Sequence, residues 1–279
     1  MYILNGYEKE KIMEIPIVEF YDDEPYITQA KLANSSHPHL KERKDRLMKL
    51  NIKTAIITWL DKESEYVNEI LKDSELIHTV YGKTSGRIPV YIHEGYLLVF
   101  ANIGSPMAAG IIEELGYYGI QNFIAYGTAG CIDKNFDTET MLVVERAIRD
   151  EGTSYHYLPP SLYIETDVII TNAIEQVLIR HSIKYEKGTT WTTDALYRET
   201  IKRTSKRLEQ GAVSVEMECA GFAAAAKRMG LRFGQFLFFS DRICVNNGWK
   251  WLQESASSGD MKAKLIPLGI EIAKELEDK

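Results

Sequence analysis

The sequence predicts a single α/β domain with a central mixed β-sheet flanked by helices. From Lys53 onward, short apolar runs alternate with amphipathic stretches, and the strand-like runs are apolar almost throughout. Such alternation indicates a sheet covered by helices on both faces, because a strand buried on both sides has no polar side. We expect residues 1–50 to form an N-terminal extension packed on the domain, and residues 51–279 to form the domain itself.

Local patterns predict the elements of the first half. HLKERKDRLMKL predicts a polar-faced helix, TAIIT a buried strand, KESEYVNEILK an amphipathic helix, and RIPVYIHEGYLLVFAN a hairpin that turns at Glu94-Gly95. SPMAAGIIEELGYYG predicts a helix with Ser105 as its N-cap and Pro106 at its first position. NFIAYGTAG predicts a strand that runs into a glycine loop.

The second half continues the alternation. MLVVERAI, AVSV and RFGQFLFFS predict strands, and DVIITNAIEQVLIRHSI predicts a helix with Asp167 in its first turn. Between the last two strands, the alanine-rich run of residues 220–226 predicts a closely packed helix that stops at Gly230. SGDMKAKLIPLGIEIAKELE predicts a final helix that is interrupted near Pro267.

Composition limits the class of protein. The chain has a formal net charge of −7, which argues against nucleic acid as a partner because phosphate backbones bind basic surfaces. We find no apolar stretch long enough for a bilayer and no signal-peptide pattern, so we expect no membrane association and a cytoplasmic location. The three cysteines are not clustered, which argues against a disulfide framework or a metal site.

Four junctions carry glycines or polar residues where predicted strands end. They are the segments 102–106, 127–130, 216–218 and 240–241. Ligands of α/β sheets bind beyond the carboxyl ends of the strands, where glycine turns and helix N-termini can bind anions. Carboxylates at the same edge can accept hydrogen bonds from hydroxyl groups. The sequence therefore places a candidate ligand site there.

Each junction also has a purely structural interpretation. Glu216 or Glu218 could stabilise the N-terminus of the alanine-rich helix. Capping accounts for one of these glutamates, but not for both together with Met217. The GTAG segment lacks the glycine spacing of the dinucleotide fingerprint and is compatible with an ordinary tight turn, and Asp241 alone is compatible with a turn or cap.

Taken in order, these motifs resemble a known family. GTAG, TTDALY (192–197), VEMECAGFAAAAKRMG (215–230) and FFSD (238–241) occur in the order and approximate spacing of the nucleoside phosphorylase type I superfamily. The resemblance covers about residues 53–275 and leaves the first fifty residues outside it. RDEGTSYHYLPP (149–160) is similar to a segment of one bacterial and archaeal branch of that superfamily.

The resemblance implies roles for the carboxylates. Met217 corresponds to a residue that packs against ribose, and Glu218 to one that accepts hydrogen bonds from the ribose hydroxyls, with Glu216 in support. Asp241 corresponds to the acid that protonates the leaving base. Because pyrimidine-specific relatives lack an aspartate at this position, the resemblance favours a purine nucleoside.

The resemblance also implies a base-binding site, formed by three residues that follow the TTD sequence. Leu196 and Tyr197 match positions that pack on the base. Arg198 is adjacent, and it either contacts the substrate or forms an ion pair at the surface.

The phosphate-binding pattern of the superfamily is incomplete in this chain. Phosphorylases usually have an early GDPxR loop and an arginine two residues before the GT turn, whereas this chain has TWLDKESEY and Ala125. If inorganic phosphate is the co-substrate, with no other cofactor, we expect it to contact Gly104, Gly127 and Thr128. The missing positive charge would come from Arg87 of a neighbouring subunit in a homo-oligomer, or from Arg149.

The sequence leaves two alternatives open. Nucleosidases that resemble methylthioadenosine nucleosidase also lack these arginines and place a glutamate after the first strand to activate water. Glu63 falls at that position, although an exposed amphipathic helix start is the stronger explanation for it. The second alternative is a nucleoside-binding protein without turnover, which would have no use for a leaving-group acid such as Asp241. The leading hypothesis is phosphorolysis of a purine nucleoside, with the active site near a subunit interface.

Overall fold

A computed structural model describes residues 17, 21–35, 37–80, 87–244, 248–252 and 256–277. The helices are α1 (Gln29–Ser35), α2 (His39–Lys49), α3 (Glu65–Lys72), α4 (Ser105–Tyr117), α5 (Val168–Arg180), α6 (Ile201–Glu209), α7 (Cys219–Met229) and α8 (Ala256–Glu275). The strands are β1 (Thr54–Thr58), β2 (Glu75–Val80), β3 (Ile88–His93), β4 (Tyr96–Phe100), β5 (Asn122–Cys131), β6 (Met141–Asp150), β7 (Tyr163–Glu165), β8 (Tyr185–Thr193), β9 (Ala212–Glu216), β10 (Arg232–Cys244) and β11 (Gly248–Trp251). Short 3₁₀ helices cover Thr153–His156 and Leu196–Arg198.

All of these strands belong to one mixed sheet, which confirms the predicted fold class. Their order is β11-β10-β6-β8-β9-β5-β1-β4-β3-β2, and β7 pairs with β6. β5 also pairs with β10, so that β10, β6, β8, β9 and β5 close into a ring of paired strands. Strands β1, β4, β5 and β10 run parallel to their neighbours in this set. Their carboxyl ends therefore lie at one edge of the sheet, which we call the carboxyl edge.

Helices cover both faces of the sheet. Buried residues of α2, α4 and α7 form one apolar cluster with the sheet, and those of α5 and α8 form a second. The alanine run of α7 is explained by its contact with α4, because a Cβ on Gly221 would lie 2.7 Å from the Cβ of Ser105. Only small side chains allow two helices to approach this closely. In the described ranges, no helix is both long and apolar enough to cross a membrane.

The extension contributes to the same core. Ala33 of α1 and the α2 residues Leu40 and Leu47 are buried in the cluster that contains α4. The predicted helix at 39–50 is confirmed as α2. The division of the chain at residue 50 stays a prediction, and residues 1–16, where the extension begins, lie outside the described part of the chain.

The structure corrects two local predictions at the carboxyl edge. GTAG is not a loop, because Gly127 to Gly130 lie inside β5 and pair with β10 across Leu237–Asp241. Ser105 is not the N-cap of α4, because that position is Gly104. Gly104 has φ +109°, a left-handed conformation that favours glycine.

The predicted hairpin at Glu94-Gly95 is confirmed. It joins β3 to β4, and its two turn residues have φ values of 48° and 86°.

Candidate active site

Glu216 is the last residue of β9 and is buried. Its Oε2 accepts hydrogen bonds from the backbone N–H groups of Glu218 (2.8 Å) and Cys219 (2.7 Å). Its Oε1 accepts one from the Thr192 hydroxyl at 2.5 Å, and the Thr192 oxygen in turn accepts from the N–H of Ala220. Glu216 therefore caps the N-terminus of α7, where a carboxylate satisfies backbone N–H groups that have no partner in the helix.

Glu218 points to a different helix. Its Oε1 accepts a hydrogen bond of 2.7 Å from the N–H of Gly104, at the start of α4. The neighbouring Ser105 hydroxyl donates to the backbone oxygen of Met217 at 3.0 Å. These two bonds join segments 102–106 and 216–218, which the sequence had singled out separately. Each glutamate thus has a structural role at a helix N-terminus, and the half-buried Met217 side chain lies between them in sequence.

Burial raises the pKa of both glutamates. For Glu216, desolvation outweighs the hydrogen bonds from Thr192 and from the backbone, which act in the opposite direction. For Glu218, desolvation is the main cause and the nearby charge of Glu216 adds to it. Two carboxylates in one buried site resist simultaneous ionisation. Burial and the neighbouring carboxylate therefore keep the pKa of each group above its ordinary value.

Asp241 lies near the end of β10 and is half-buried. Its Oδ1 accepts a hydrogen bond from the Ser240 hydroxyl at 2.7 Å, and its Oδ2 accepts one from the indole N–H of Trp249 at 2.9 Å. Gly130 of β5 makes room for this carboxylate, because a Cβ there would lie 3.1 Å from Oδ2. Asp241 thus has a fixed orientation at the carboxyl edge.

The predicted base-site residues lie in the 3₁₀ helix after β8. Leu196, Tyr197 and Arg198 are all exposed, and Tyr197 is 95% exposed. The next residue, Glu199, is half-buried, and its pKa is raised to about 7 by desolvation and by the negative charge of Asp241. This coupling places the end of the 3₁₀ helix on the side of Asp241. The base side of the candidate site is open to solvent in the isolated chain.

Gly127 and Thr128 lie next to the loop that follows β1. Thr128 is exposed, whereas its neighbours in β5 are buried. The Trp59 ring covers Gly127, since a Cβ on that glycine would lie 2.9 Å from the ring. Trp59 also donates its indole N–H to the backbone oxygen of Asn102 at 3.2 Å. The loop after β1 therefore contacts both the GTAG strand and the segment before α4.

The charged candidates for phosphate lie in different places. Arg87 is exposed and immediately precedes β3, whose pairing of Val90 with Val99 puts Arg87 near the carboxyl edge, beyond the end of β4. Strand β4 separates β3 from β1. Ala125, where phosphorylases usually carry an arginine, is fully buried.

Arg149 is buried and already engaged. Its guanidinium donates to the hydroxyls of Ser154 and Ser161 and to the backbone oxygens of Leu158 and Pro159. It also stacks on the ring of Tyr155, 4.3 Å from the centroid. In this arrangement it orders the segment 154–161, so we do not include it among the phosphate ligands that we propose.

Glu63 is exposed in the turn between β1 and α3. Its N–H donates to the Asp61 carboxylate at 2.9 Å, and its backbone oxygen accepts from the Asn68 side chain. These bonds are those of a helix start, as the structural interpretation expects. Because these bonds use only the backbone of Glu63, its carboxylate stays a candidate for the base of the hydrolytic alternative.

Sequence reasoning missed four residues of this site. Thr192 is the first residue of the TTDALY motif and Glu199 lies two residues after it. Trp59 follows the first strand, and Trp249 comes after the SD motif. Thr192 and Glu199 could have been proposed as site residues, because they lie in or beside a motif of the family. The two tryptophans could not be identified in this way. Trp59 binds the distant residue Asn102, and Trp249 binds Asp241 across a strand pair.

The chain is similar to proteins of known family. The profile of the phosphorylase superfamily matches residues 54–263. A guanosine phosphorylase of Halorubrum lacusprofundi is 27% identical over 158 residues, which are 57% of this chain and 64% of that protein. The uridine phosphorylase of Salmonella typhimurium is 23% identical over 188 residues, or 62% of this chain and 73% of that protein.

Two further similarities cover more of the chain. An uncharacterized protein of Acanthamoeba polyphaga mimivirus is 25% identical over 244 residues, which are 81% of this chain and 86% of that protein. The crystal structure of AMP nucleosidase from Bacteroides thetaiotaomicron has the same fold, with a TM-score of 0.63 and 21% identity, over 86% of this chain and 97% of that one. Since the family profile spans well over half of the sequence, the chain belongs to the phosphorylase superfamily of enzymes.

Proposed function

We propose that the protein cleaves the N-glycosidic bond of purine nucleosides with inorganic phosphate as the acceptor, releasing the free base and ribose 1-phosphate. One observation carries this proposal. The Gly104–Glu218 hydrogen bond of 2.7 Å joins the N-terminus of α4 to the VEME motif at the carboxyl edge. A site for an anion and a site for a diol are thereby adjacent, as transfer of a ribosyl group to phosphate requires.

Ribose binding is assigned to Met217 and Glu218. A carboxylate accepts hydrogen bonds from two hydroxyl groups, which a vicinal diol supplies. Glu216, which is held by Thr192 and two backbone N–H groups, keeps the 216–218 segment in place and acts as the supporting residue.

Departure of the base is assigned to Asp241. As the C1′–N9 bond breaks, its electron pair moves to the purine and the Asp241 carboxyl transfers a proton to the imidazole nitrogen N7. General acid catalysis of this kind contributes about 10²- to 10⁴-fold. Leu196, Tyr197 and Arg198 are proposed to contact the base, because the next residue, Glu199, lies close enough to Asp241 for the Asp241 charge to help raise its pKa.

Phosphate binding is assigned to Gly104, Gly127, Thr128 and Arg87. The exposed Thr128 hydroxyl supplies a neutral donor, and the Gly104 N–H supplies a second one once Glu218 turns from it to the ribose hydroxyls. An arginine supplies the charge that Ala125 does not. We propose that Arg87 comes from a neighbouring subunit, since β4 separates its strand from β1 within one chain. Activity then depends on a homo-oligomer with the site near its interface.

Hydrolysis of the same bond is the second candidate function. It is favoured by the engagement of the Gly104 N–H with Glu218, which leaves this donor unavailable to phosphate unless Glu218 moves. The exposed Glu63 would then activate water, and ribose would be the product. The AMP nucleosidase of Bacteroides thetaiotaomicron has this fold, so the fold is compatible with either reaction.

The product identifies the reaction. The enzyme is incubated with inosine, adenosine and uridine, with and without phosphate, and the sugar is analysed. Ribose 1-phosphate formed in the presence of phosphate supports the proposal, and free ribose formed without phosphate supports the nucleosidase. Arg87→Ala should raise the KM for phosphate more than the KM for nucleoside in the first case. Glu63→Gln should abolish turnover in the second.

A further inference from the structure

The hairpin of β10 and β11 brings an indole to the Asp241 carboxylate. Asp241 pairs with Trp251, and Ile243 pairs with Trp249. Alternate residues share one face of a strand, so both tryptophans lie on the face of Asp241, and Trp249 is its diagonal neighbour. Diagonal neighbours are within reach of long side chains, and the Trp249 N–H lies 2.9 Å from Oδ2.

Trp249 is largely exposed, although its side chain is large and mostly apolar. It is 54% exposed and Trp251 is 66% exposed, and their rings meet edge to face with centroids 4.9 Å apart. An indole at the core would be explained by burial of apolar area, but this one retains much of its contact with water. Burial therefore does not explain the position of Trp249, whereas its hydrogen bond to Asp241 and its ring contact with Trp251 do.

Two donors fix the plane of the Asp241 carboxyl group. Ser240 donates to Oδ1 from within β10, and Trp249 donates to Oδ2 from β11. With one donor on each oxygen, rotation about the Cβ–Cγ bond breaks both hydrogen bonds. Because Gly130 leaves space beside Oδ2, the carboxyl group is held where β5 and β10 reach the carboxyl edge.

We propose that Trp249 is a positioning residue for Asp241 and that its indole N–H stabilises the carboxylate that forms when Asp241 gives its proton to the departing purine. The proposal rests on the function proposed above. As the C1′–N9 bond breaks, the base receives the electron pair and the Asp241 proton, and Asp241 becomes anionic. A hydrogen bond to an ionised group is stronger than one to a neutral group, so the N–H of Trp249 favours the transition state over the ground state.

The test compares two substrates that differ in their need for an acid. Inosine requires protonation of its base, whereas 7-methylinosine already carries a positive charge on the imidazole ring and leaves without a proton. Trp249→Phe keeps an aromatic ring and removes the donor. We expect kcat for inosine to fall by about 10- to 100-fold, the effect of losing a hydrogen bond to a charged group, while kcat for 7-methylinosine changes less than about twofold.

Trp251→Phe is the matched control, since it removes an indole from the same hairpin, and we expect it to change neither rate by more than about twofold. In an Asp241→Asn background, Trp249→Phe should cause no further loss for inosine. Melting temperatures of all variants identify any that fail to fold, and Trp249→Leu, which also lacks a side-chain donor, then replaces Trp249→Phe. Equal losses on both substrates, or no loss on inosine, would overturn the role of Trp249. If the wild-type enzyme cleaves neither nucleoside, the proposed function fails first, and this role fails with it.

Discussion

The carboxylates of Glu216 and Glu218 and the carboxylate of Asp241 lie at strand ends of one sheet, but their surroundings differ. Glu216 and Glu218 are buried, and they accept hydrogen bonds from backbone N–H groups of α7 and α4. Asp241 is half-buried and held by side-chain donors, one of them on an exposed hairpin. The part of the site proposed to bind ribose is therefore in the folded core, whereas the part proposed to bind the base depends on surface elements.

This difference has consequences for mutation. A change at the 216–218 segment affects a buried network and should alter both stability and function. A change around Asp241 should alter function with little effect on stability, because few buried contacts depend on it.

Asp241→Asn should lower kcat for inosine by about 10²- to 10⁴-fold, because the side chain can no longer transfer a proton. The melting temperature should change little, since the group is half-buried. Steady-state kinetics and thermal unfolding of the same preparations measure both effects. Full activity on inosine would remove Asp241 from the mechanism.

Glu218→Gln should lower kcat/KM for nucleosides by about 10- to 100-fold, the expected effect of weakening hydrogen bonds to a charged acceptor. The Gln side chain can still accept from Gly104 but presents donors to the ribose hydroxyls. Binding of a free purine base, measured by calorimetry, should change much less. Equal losses for nucleoside and base would contradict the assignment of Glu218 to ribose.

Thr192→Val should lower the free energy of unfolding by about 1–3 kcal/mol, because it leaves buried partners of the hydroxyl unsatisfied. Those partners are Glu216 and the N–H of Ala220. It should also raise the KM for nucleoside, as the 216–218 segment loses support. Thr190→Val is the matched control, since Thr190 is equally buried and bonded to Ser214. That control should lose stability without a change in KM, and a similar rise in both variants would argue against a specific role for Thr192.

The pH dependence of stability should reveal the buried glutamates. A carboxyl group whose pKa is raised on folding binds more protons in the folded state between its ordinary value of 4.5 and the raised one. The free energy of unfolding should therefore fall as pH rises from about 4.5 through neutrality, by at most about 1.4 kcal/mol per pH unit for each such proton.

Glu218→Gln should make this decline shallower, whereas the exposed Glu186→Gln should leave it unchanged. Denaturant titrations at several pH values between 5 and 8 give the slopes. An identical slope in the wild-type enzyme and in Glu218→Gln would show that Glu218 is not a source of the decline.

Periodicity and motif order alone determined the fold class, most of the strands and the candidate carboxylates. The strands β1, β4 and β9 and the helix α5 were predictable because their apolar patterns are local. The strands β2, β7, β8 and β11 were missed. β11 is exposed along its length, and the β8 sequence is largely polar, so neither has the apolar signal of a core strand.

Tertiary structure decided how the motifs are used. The GTAG segment became a strand because β10 supplies its hydrogen-bond partners, and Arg149 became a structural residue because the 154–161 segment folds over it. Local sequence could identify Glu218 and Gly104 as candidates, but not the bond between them, which links residues 114 positions apart. The Trp249–Asp241 contact likewise depends on the register of a hairpin. Hydrogen bonds between distant segments form only after packing has brought their strands to one edge. Local sequence patterns therefore cannot predict them.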